Sequence, residues 1–216
     1  ARFTTKTLMN QLIGSLRHVA TCIRPARAFY QRLVSFTNGL PRVGSVAIPT
    51  RLKDDIIWLN QLLESGRLTG VPLQLFRNVV EAQINVFMDA SDWGMCAMNP
   101  QTKEYIREAW NQQEQDDIKN RNSSVDPLGI NVRELTSVVY SVMTWGSHWA
   151  KQAKVGATVR FWIDNKAAVS WSNRLYSPNP RAQALLRVLA THEAVQSLHL
   201  YAEHIPGEAN TAADAG

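Results

Sequence analysis

Four acidic residues stand where a strand or helix would deliver them to one point: Asp89, Glu134, Asp164 and Asp214. Asp89 closes the strand-like run Ile84-Asn85-Val86-Phe87-Met88, and Asp164 closes a second, Val159-Arg160-Phe161-Trp162-Ile163. Glu134 lies in Asn131-Val132-Arg133-Glu134-Leu135, which opens a helical pattern, and Asp214 follows a third strand-like run that ends at His204. Carboxylates so arranged suit two hard divalent cations, which need anionic oxygens on one side and open positions for water and a phosphate on the other. Strand ends are also where α/β sheets collect ligands. An Asp after a strand is common as a helix N-cap or turn residue, so one such position says little; four in this order predict a two-metal site that cuts nucleic acid.

Periodicity indicates the elements that must hold these groups. Stretches of period two predict strands at roughly 84–89, 93–99, 103–110, 158–163 and 198–204, with turns at Ser91-Asp92 and Asn99-Pro100-Gln101. Helices are expected from about Val132 to Ala150, with Asn131 as N-cap, and over about 165–175 and 179–196. The polar segment from Asn111 to Gly129 reads as a mobile loop. The order β-β-β-α-β-α-α-β predicts an α/β fold with a mixed five-stranded sheet flanked by helices, begun by a meander and completed by right-handed crossovers. Residues 1–80 read as a small helical subdomain ahead of it. Its first helix is capped by Thr4-Thr5 and ended by Pro25, its second runs from Ala26 to about Ser35, and its third follows Pro49-Thr50.

Composition agrees with two parts. A chain of 216 residues, 45% hydrophobic, can bury one medium domain and a smaller one. Residues 1–80 hold eleven Lys or Arg against three acids, whereas the remainder holds twelve bases against fifteen acids. A basic arm beside an acidic body suits the handling of a polyanion. Cys22 and Cys96 are too few and too isolated for a disulfide framework or a zinc site, so the expected setting is intracellular, cytoplasmic or nuclear. No apolar run reaches about 18 residues, so no membrane partner is expected. A start at Ala1 rather than Met suggests a piece of a longer polyprotein.

With these motifs in place, the stretch from about Ile84 to Gly216 resembles the ribonuclease H domain of retroelement reverse transcriptases, gypsy-like or DIRS-like. Met88-Asp89-Ala90-Ser91-Asp92-Trp93-Gly94 is similar to the opening Asp-Ala-Ser hairpin of that domain, and Asn131-Val132-Arg133-Glu134-Leu135 to its Asn-x-x-Glu-Leu helix start. Ile163-Asp164-Asn165 resembles the third carboxylate. The most specific match is His204-Ile205-Pro206-Gly207-Glu208-Ala209-Asn210 through Ala213-Asp214, the closing block. Leu12 to Ala20 and Ile23 to Leu33 resemble the thumb or connection helices that precede such a domain. The family pattern continues past Asp214 with a further helix. A polymerase would need a Tyr-x-Asp-Asp hairpin, which neither Asp54-Asp55 nor Asp116-Asp117 supplies.

The resemblance implies a function and a set of roles. Asp89 would bridge two Mg²⁺ ions, for which Mn²⁺ can substitute, Glu134 and Asp164 would complete the site of one, and Asp214 would hold the other. His204 would aid product release or proton transfer. The substrate would be an RNA–DNA hybrid, and the partner the polymerase portion of the same polyprotein. Beyond the carboxylates, Ser91, Asn165 and Gln183 are candidates for groove or sugar contacts, and Arg17, Arg24, Arg27 and Arg32 for phosphate contacts outside the cleft. Spacing puts Trp93, Trp110, Trp145, Trp149 and Trp162 in the core and leaves Trp171 for stacking. Two other readings stay open: a catalytically silent nucleic-acid-binding or scaffolding domain, and a 3′ exonuclease or integrase on the same type of fold.

Overall fold

The computed structural model describes residues 2–65, 81–119, 128–152 and 156–210, and the chain divides into two compact units, 1–78 and 79–216. In the first unit, strand β1 (Phe3–Thr4) pairs antiparallel with β2 (Val46–Ala47), a contact absent from the sequence-based expectation. Three helices accompany them: α1 (Lys6–Cys22), α2 (Ala26–Asn38) and α3 (Thr50–Ser65). Thr5 caps α1, its hydroxyl oxygen accepting from the Leu8 amide at 3.3 Å. Helical spacing puts Met9, Ile13, Leu16 and Ala20 on the buried side of α1, and Phe29 of α2 stacks on Trp58 of α3 with centroids 3.6 Å apart.

The second unit is built on five strands: β3 (Ile84–Ala90), β4 (Gly94–Asn99), β5 (Glu104–Ala109), β6 (Thr158–Ile163) and β7 (His199–His204). Their order across the sheet is β5-β4-β3-β6-β7, with β4 antiparallel to both β3 and β5, and β6 and β7 parallel additions. This mixed, helix-flanked sheet is the ribonuclease H-like arrangement. A short loop suffices to join the antiparallel strands, whereas each parallel step needs a helical crossover. Helix α5 (Ile130–Gln152) lies in the first crossover, and α6 (Lys166–Arg174) with α7 (Pro180–Val195) forms the second. α5 packs on β3 and β4, and α7 packs on α5.

Strand alternation decides which side chains enter the core. On β3 Ile84, Val86, Met88 and Ala90 are buried, while Asn85, Phe87 and Asp89 lie on the half-covered side. Val159, Phe161 and Ile163 continue the buried side on β6, and Leu135, Val138 and Val142 of α5 are buried as well. Gly94, at the start of β4, permits the tight approach to β5, because a Cβ there would run into the Glu108 carbonyl oxygen.

Two elements differ from the sequence-based reading. The segment expected as a mobile loop contains helix α4 (Gln112–Lys119), and its remaining described residues are Asn111, Leu128 and Gly129. The signal is a capping box: the Asn111 side chain accepts from the Glu114 amide at 3.0 Å, and the Glu114 carboxylate accepts from the Asn111 amide at 3.1 Å. Gln112 donates to Asp116 and Gln113 to Asp117, one turn on. Arg181, in the first turn of α7, holds Glu114 at 2.9 Å, and Ile118 is buried. Replacing Asn111 by Ala is expected to cost about 1 kcal/mol in denaturant unfolding, the usual cost of losing such a cap. The second difference is Asn131, which lies inside α5 rather than before it, because the Gly129 carbonyl already accepts from Val132 and Arg133.

Candidate active site

The register of β3 on β6 brings two of the four carboxylates together. Ile84 pairs with Val159 and Phe87 with Trp162, so the same register continued by two residues sets Asp89 beside Asp164 at the ends of adjacent parallel strands. Neighbouring strands are about 4.8 Å apart, a separation at which two carboxylates feel each other strongly. Glu134 arrives from the first turns of α5 and is almost fully buried, at 1% exposure.

The end of β3 is fixed by three side chains, two from α5 and one from beyond β7. Asn210 donates to the Met88 carbonyl at 2.7 Å, Ser137 to the Asp89 carbonyl at 3.4 Å, and the Ala90 amide donates to Glu134 Oε1 at 3.1 Å. The backbone that carries Asp89 is thus set by groups 44 or more residues away in sequence. Asp164 is framed in the same way. His204 Nε2 lies 3.0 Å from its carbonyl oxygen, and a Cβ built on Gly207 would stand 3.4 Å from its Oδ2, so the closing Pro206-Gly207 turn lies against the carboxylate.

Glu134 records the electrostatic result. Its pKa is pushed up from 4.5 to about 8, first by burial, then by the charges of Asp164 and Asp89, against a smaller lowering by the Ala90 amide and by Arg133. Glu134 Oε1 is occupied by Ala90, whereas Oε2 is buried and has no hydrogen-bond partner among the described residues. A buried carboxylate oxygen without a donor is costly, and a cation is the partner that would satisfy it and offset the repulsion of its neighbours. On the chemistry of this donor set, the three residues fit a hard divalent cation. As they stand, no three His, Cys, Asp or Glu side chains among the described residues close into a ready coordination sphere. The coupling felt at Glu134 is therefore one of proximity, short of a shared ion position. Asp214 lies outside the described residues.

The remaining candidates take different places. Ser91 forms the β3–β4 turn, its Oγ accepting from the Trp93 and Gly94 amides at 3.2 and 3.3 Å. Asn165 caps α6 by accepting from Ala167 and Ala168, and donates to Asn131 Oδ1 at 2.8 Å, tying α6 to the start of α5. Gln183 donates to the Ser177 carbonyl at 3.0 Å. His204 is exposed. Arg17, Arg24, Arg27 and Arg32 belong to the first unit. There Arg27 donates to the Ala20 carbonyl at 3.1 Å, and Arg32 donates to the Arg51 carbonyl and pairs with buried Asp55 at 3.2 Å.

Two residues that spacing assigned otherwise, or not at all, matter here. Trp93, expected in the core, is 71% exposed, while Trp110, Trp145 and Trp149 are buried as expected and Trp162 is half-buried. Trp93 sits at the tip of a three-residue turn whose backbone is held by Ser91 and Trp110, so its ring projects outward. Arg133 is buried, and its guanidinium donates to the Ser91 carbonyl and to Asp92, clamping the same turn from α5. Its position next to Glu134 in the helix-opening motif is the one sequence signal for it. Among the described residues no helix is long and apolar enough to cross a membrane. No protein family matches the chain, and no curated protein matches it either.

Proposed function

We propose that the second unit is a divalent-metal-dependent endonuclease that hydrolyses the RNA strand of RNA–DNA hybrids, as the ribonuclease H part of a retroelement reverse transcriptase. The observation that supports this most is the junction of Asp89 and Asp164 in register with buried Glu134, whose Oε2 has no donor among the described residues. Asp89, Glu134 and Asp164, with Asp214 by resemblance, are the residues that would hold two Mg²⁺ ions. When bound, such a pair supplies a water of lowered pKa and stabilises charge on the departing 3′ oxygen.

The chain's own groups set the terms for that chemistry. Asn210, Ser137 and the Glu134–Ala90 bond hold the strand end, so the Asp89 carboxylate would need little reorganisation to hold a cation. Glu134 must lose its proton for the site to bind a cation fully. His204 is exposed and anchored through the Asp164 carbonyl, and by resemblance it would aid product release or proton transfer. Duplex shape and the 2′-hydroxyl are the features by which RNA on DNA is distinguished from other duplexes.

The test is cleavage of end-labelled RNA–DNA hybrid, DNA duplex and RNA duplex by the chain in Mg²⁺. Internal cuts confined to the RNA of the hybrid are expected, and a closed circular hybrid should be cut as well. Equal cutting of all three duplexes, or degradation only from a free 3′ end, would replace the proposal with a different nuclease. Tight hybrid binding with no cutting in either Mg²⁺ or Mn²⁺ would favour a silent binding domain.

A further inference from the structure

The sheet carries a row of residues that extends away from the carboxylates. Directly paired residues of adjacent strands share a face, so Asp89 of β3, Cys96 of β4 and Arg107 of β5 form one line across three strands. Electrostatics agree, since the buried Cys96 thiol is pushed up by burial and then by Asp89 while Arg107 acts in the opposite direction. Arg107 is exposed, and among the described residues its guanidinium makes no hydrogen bond or ion pair. Glu108, the next residue, is opposite Met95 and also borders the hollow that ends at Asp89.

A cavity of about 410 Å³ lies over this line, bounded by Asp89, Ser91, Trp93, Cys96 and Arg107 among others. A second, of about 390 Å³, is bounded by Asp92, Trp93, Gln115, Ile118 and Lys119. Among the described residues Trp93 alone is common to both, so its exposed ring is the ridge between two hollows, one of which ends at Asp89. Each hollow also offers a cation, Arg107 in the first and Lys119 in the second. An exposed indole on a fixed turn, flanked by cations and leading to a carboxylate cluster, has the properties of a nucleic-acid strand path: an aromatic platform for a base or sugar face, with positive groups for phosphates. Two strand spacings put Arg107 roughly 10 Å from Asp89, within reach of a phosphate a few nucleotides from the one at the carboxylates.

We infer that Trp93 and Arg107 form a subsite for the nucleic-acid strand adjoining the reacting phosphate, with Trp93 packing on a sugar or base face and Arg107 neutralising one phosphate. The inference rests on the nuclease reading for the identity of its ligand. Its test is therefore made without turnover, by fluorescence anisotropy of a labelled RNA–DNA hybrid with the whole chain in a chelator, across a salt series. Trp93→Ala is expected to lower affinity roughly 5- to 150-fold. Arg107→Ala is expected to reduce the slope of log affinity against log salt by about 1. Thermal melts and Mn²⁺ affinity should stay at wild-type values in both. Wild-type affinity with an unchanged salt slope in both variants, or no hybrid binding by the wild type, would overturn the subsite. Asp89→Asn run in parallel for cleavage in Mg²⁺ separates the two readings: a fully active Asp89→Asn sinks the catalytic assignment and leaves the anisotropy result to stand on its own.

Discussion

Asp89→Asn should reduce hybrid cleavage at saturating Mg²⁺ by at least ~10²-fold, with the fold intact. The substitution keeps size and shape but removes the one negative charge that register sets beside Asp164 at the strand ends. Losing a single preorganised group that supports transition-state charge costs about 10²–10³ in rate in other enzymes, and a residue expected to bridge two ions should lie at or beyond that range. The main-chain bonds from Asn210 and Ser137 do not use the Asp89 carboxylate, so they survive the change. Single-turnover kinetics with a melt on the same sample checks both parts. Cleavage within a fewfold of wild type would mean that Asp89 has no part in the chemistry.

Glu134 gives the second large effect, one of stability against pH. Its folded pKa of about 8 lies above the ordinary 4.5, so the folded state holds a proton that the unfolded chain releases between those values. Unfolding in chelator is thus least favourable below about pH 4.5, as far as this group is concerned, and stability falls as pH rises toward 8. At about 1.4 kcal/mol per pH unit the loss amounts to a few kcal/mol. Glu134→Gln, which cannot ionise, should remove that slope and be the more stable protein at pH 8. The causes also predict an order among neighbours. Asp164→Asn should bring the midpoint of the slope down further than Asp89→Asn, and neither should return it to 4.5, because burial is the largest cause. Parallel slopes for wild type and Glu134→Gln would show that Glu134 is not the group that titrates.

Much of this arrangement was legible in the sequence because its signals are local. Period-two runs ending in Asp89 and Asp164 mark strands, and the strand limits fall within a residue or two of the expected ones. Thr5 and Asn165 cap helices through side chains a few residues from the amides they satisfy. The rest depends on contacts that spacing does not encode. Trp93 counts as apolar in any periodic reading, yet it falls in the three-residue turn between β3 and β4, where neither face of the sheet exists to bury it. Arg133 reads as a solvated helix residue until the turn that it clamps is folded beside it. Arg107 becomes interesting only when cross-strand pairing aligns it with Asp89. The helix α4 is a different kind of miss. Its capping box, Asn111 to Glu114, was present, and the polar composition of the stretch outweighed it.

The site itself was half legible. The order of the carboxylates pointed to convergence, and the coupling of Glu134 to Asp164 and Asp89 is the physical counterpart. The side-chain tasks of Asn165 and Ser91, one capping α6 and one shaping a turn, are local jobs that the same residue types perform anywhere in proteins. Arg27 and Arg32 likewise hold their own unit together. Charge alone cannot distinguish an arginine that waits for phosphate from one that closes a helix end.

The central claim is that Asp89, Glu134 and Asp164 form a seat for divalent cations. Anomalous scattering from crystals of the chain grown in Mn²⁺ tests it most directly. The account predicts strong peaks in contact with Asp89 and Asp164 carboxylate oxygens, with Glu134 Oε2 turned to the metal. Peaks confined to other parts of the surface, with these three side chains bonded only to protein or water at saturating Mn²⁺, would contradict it.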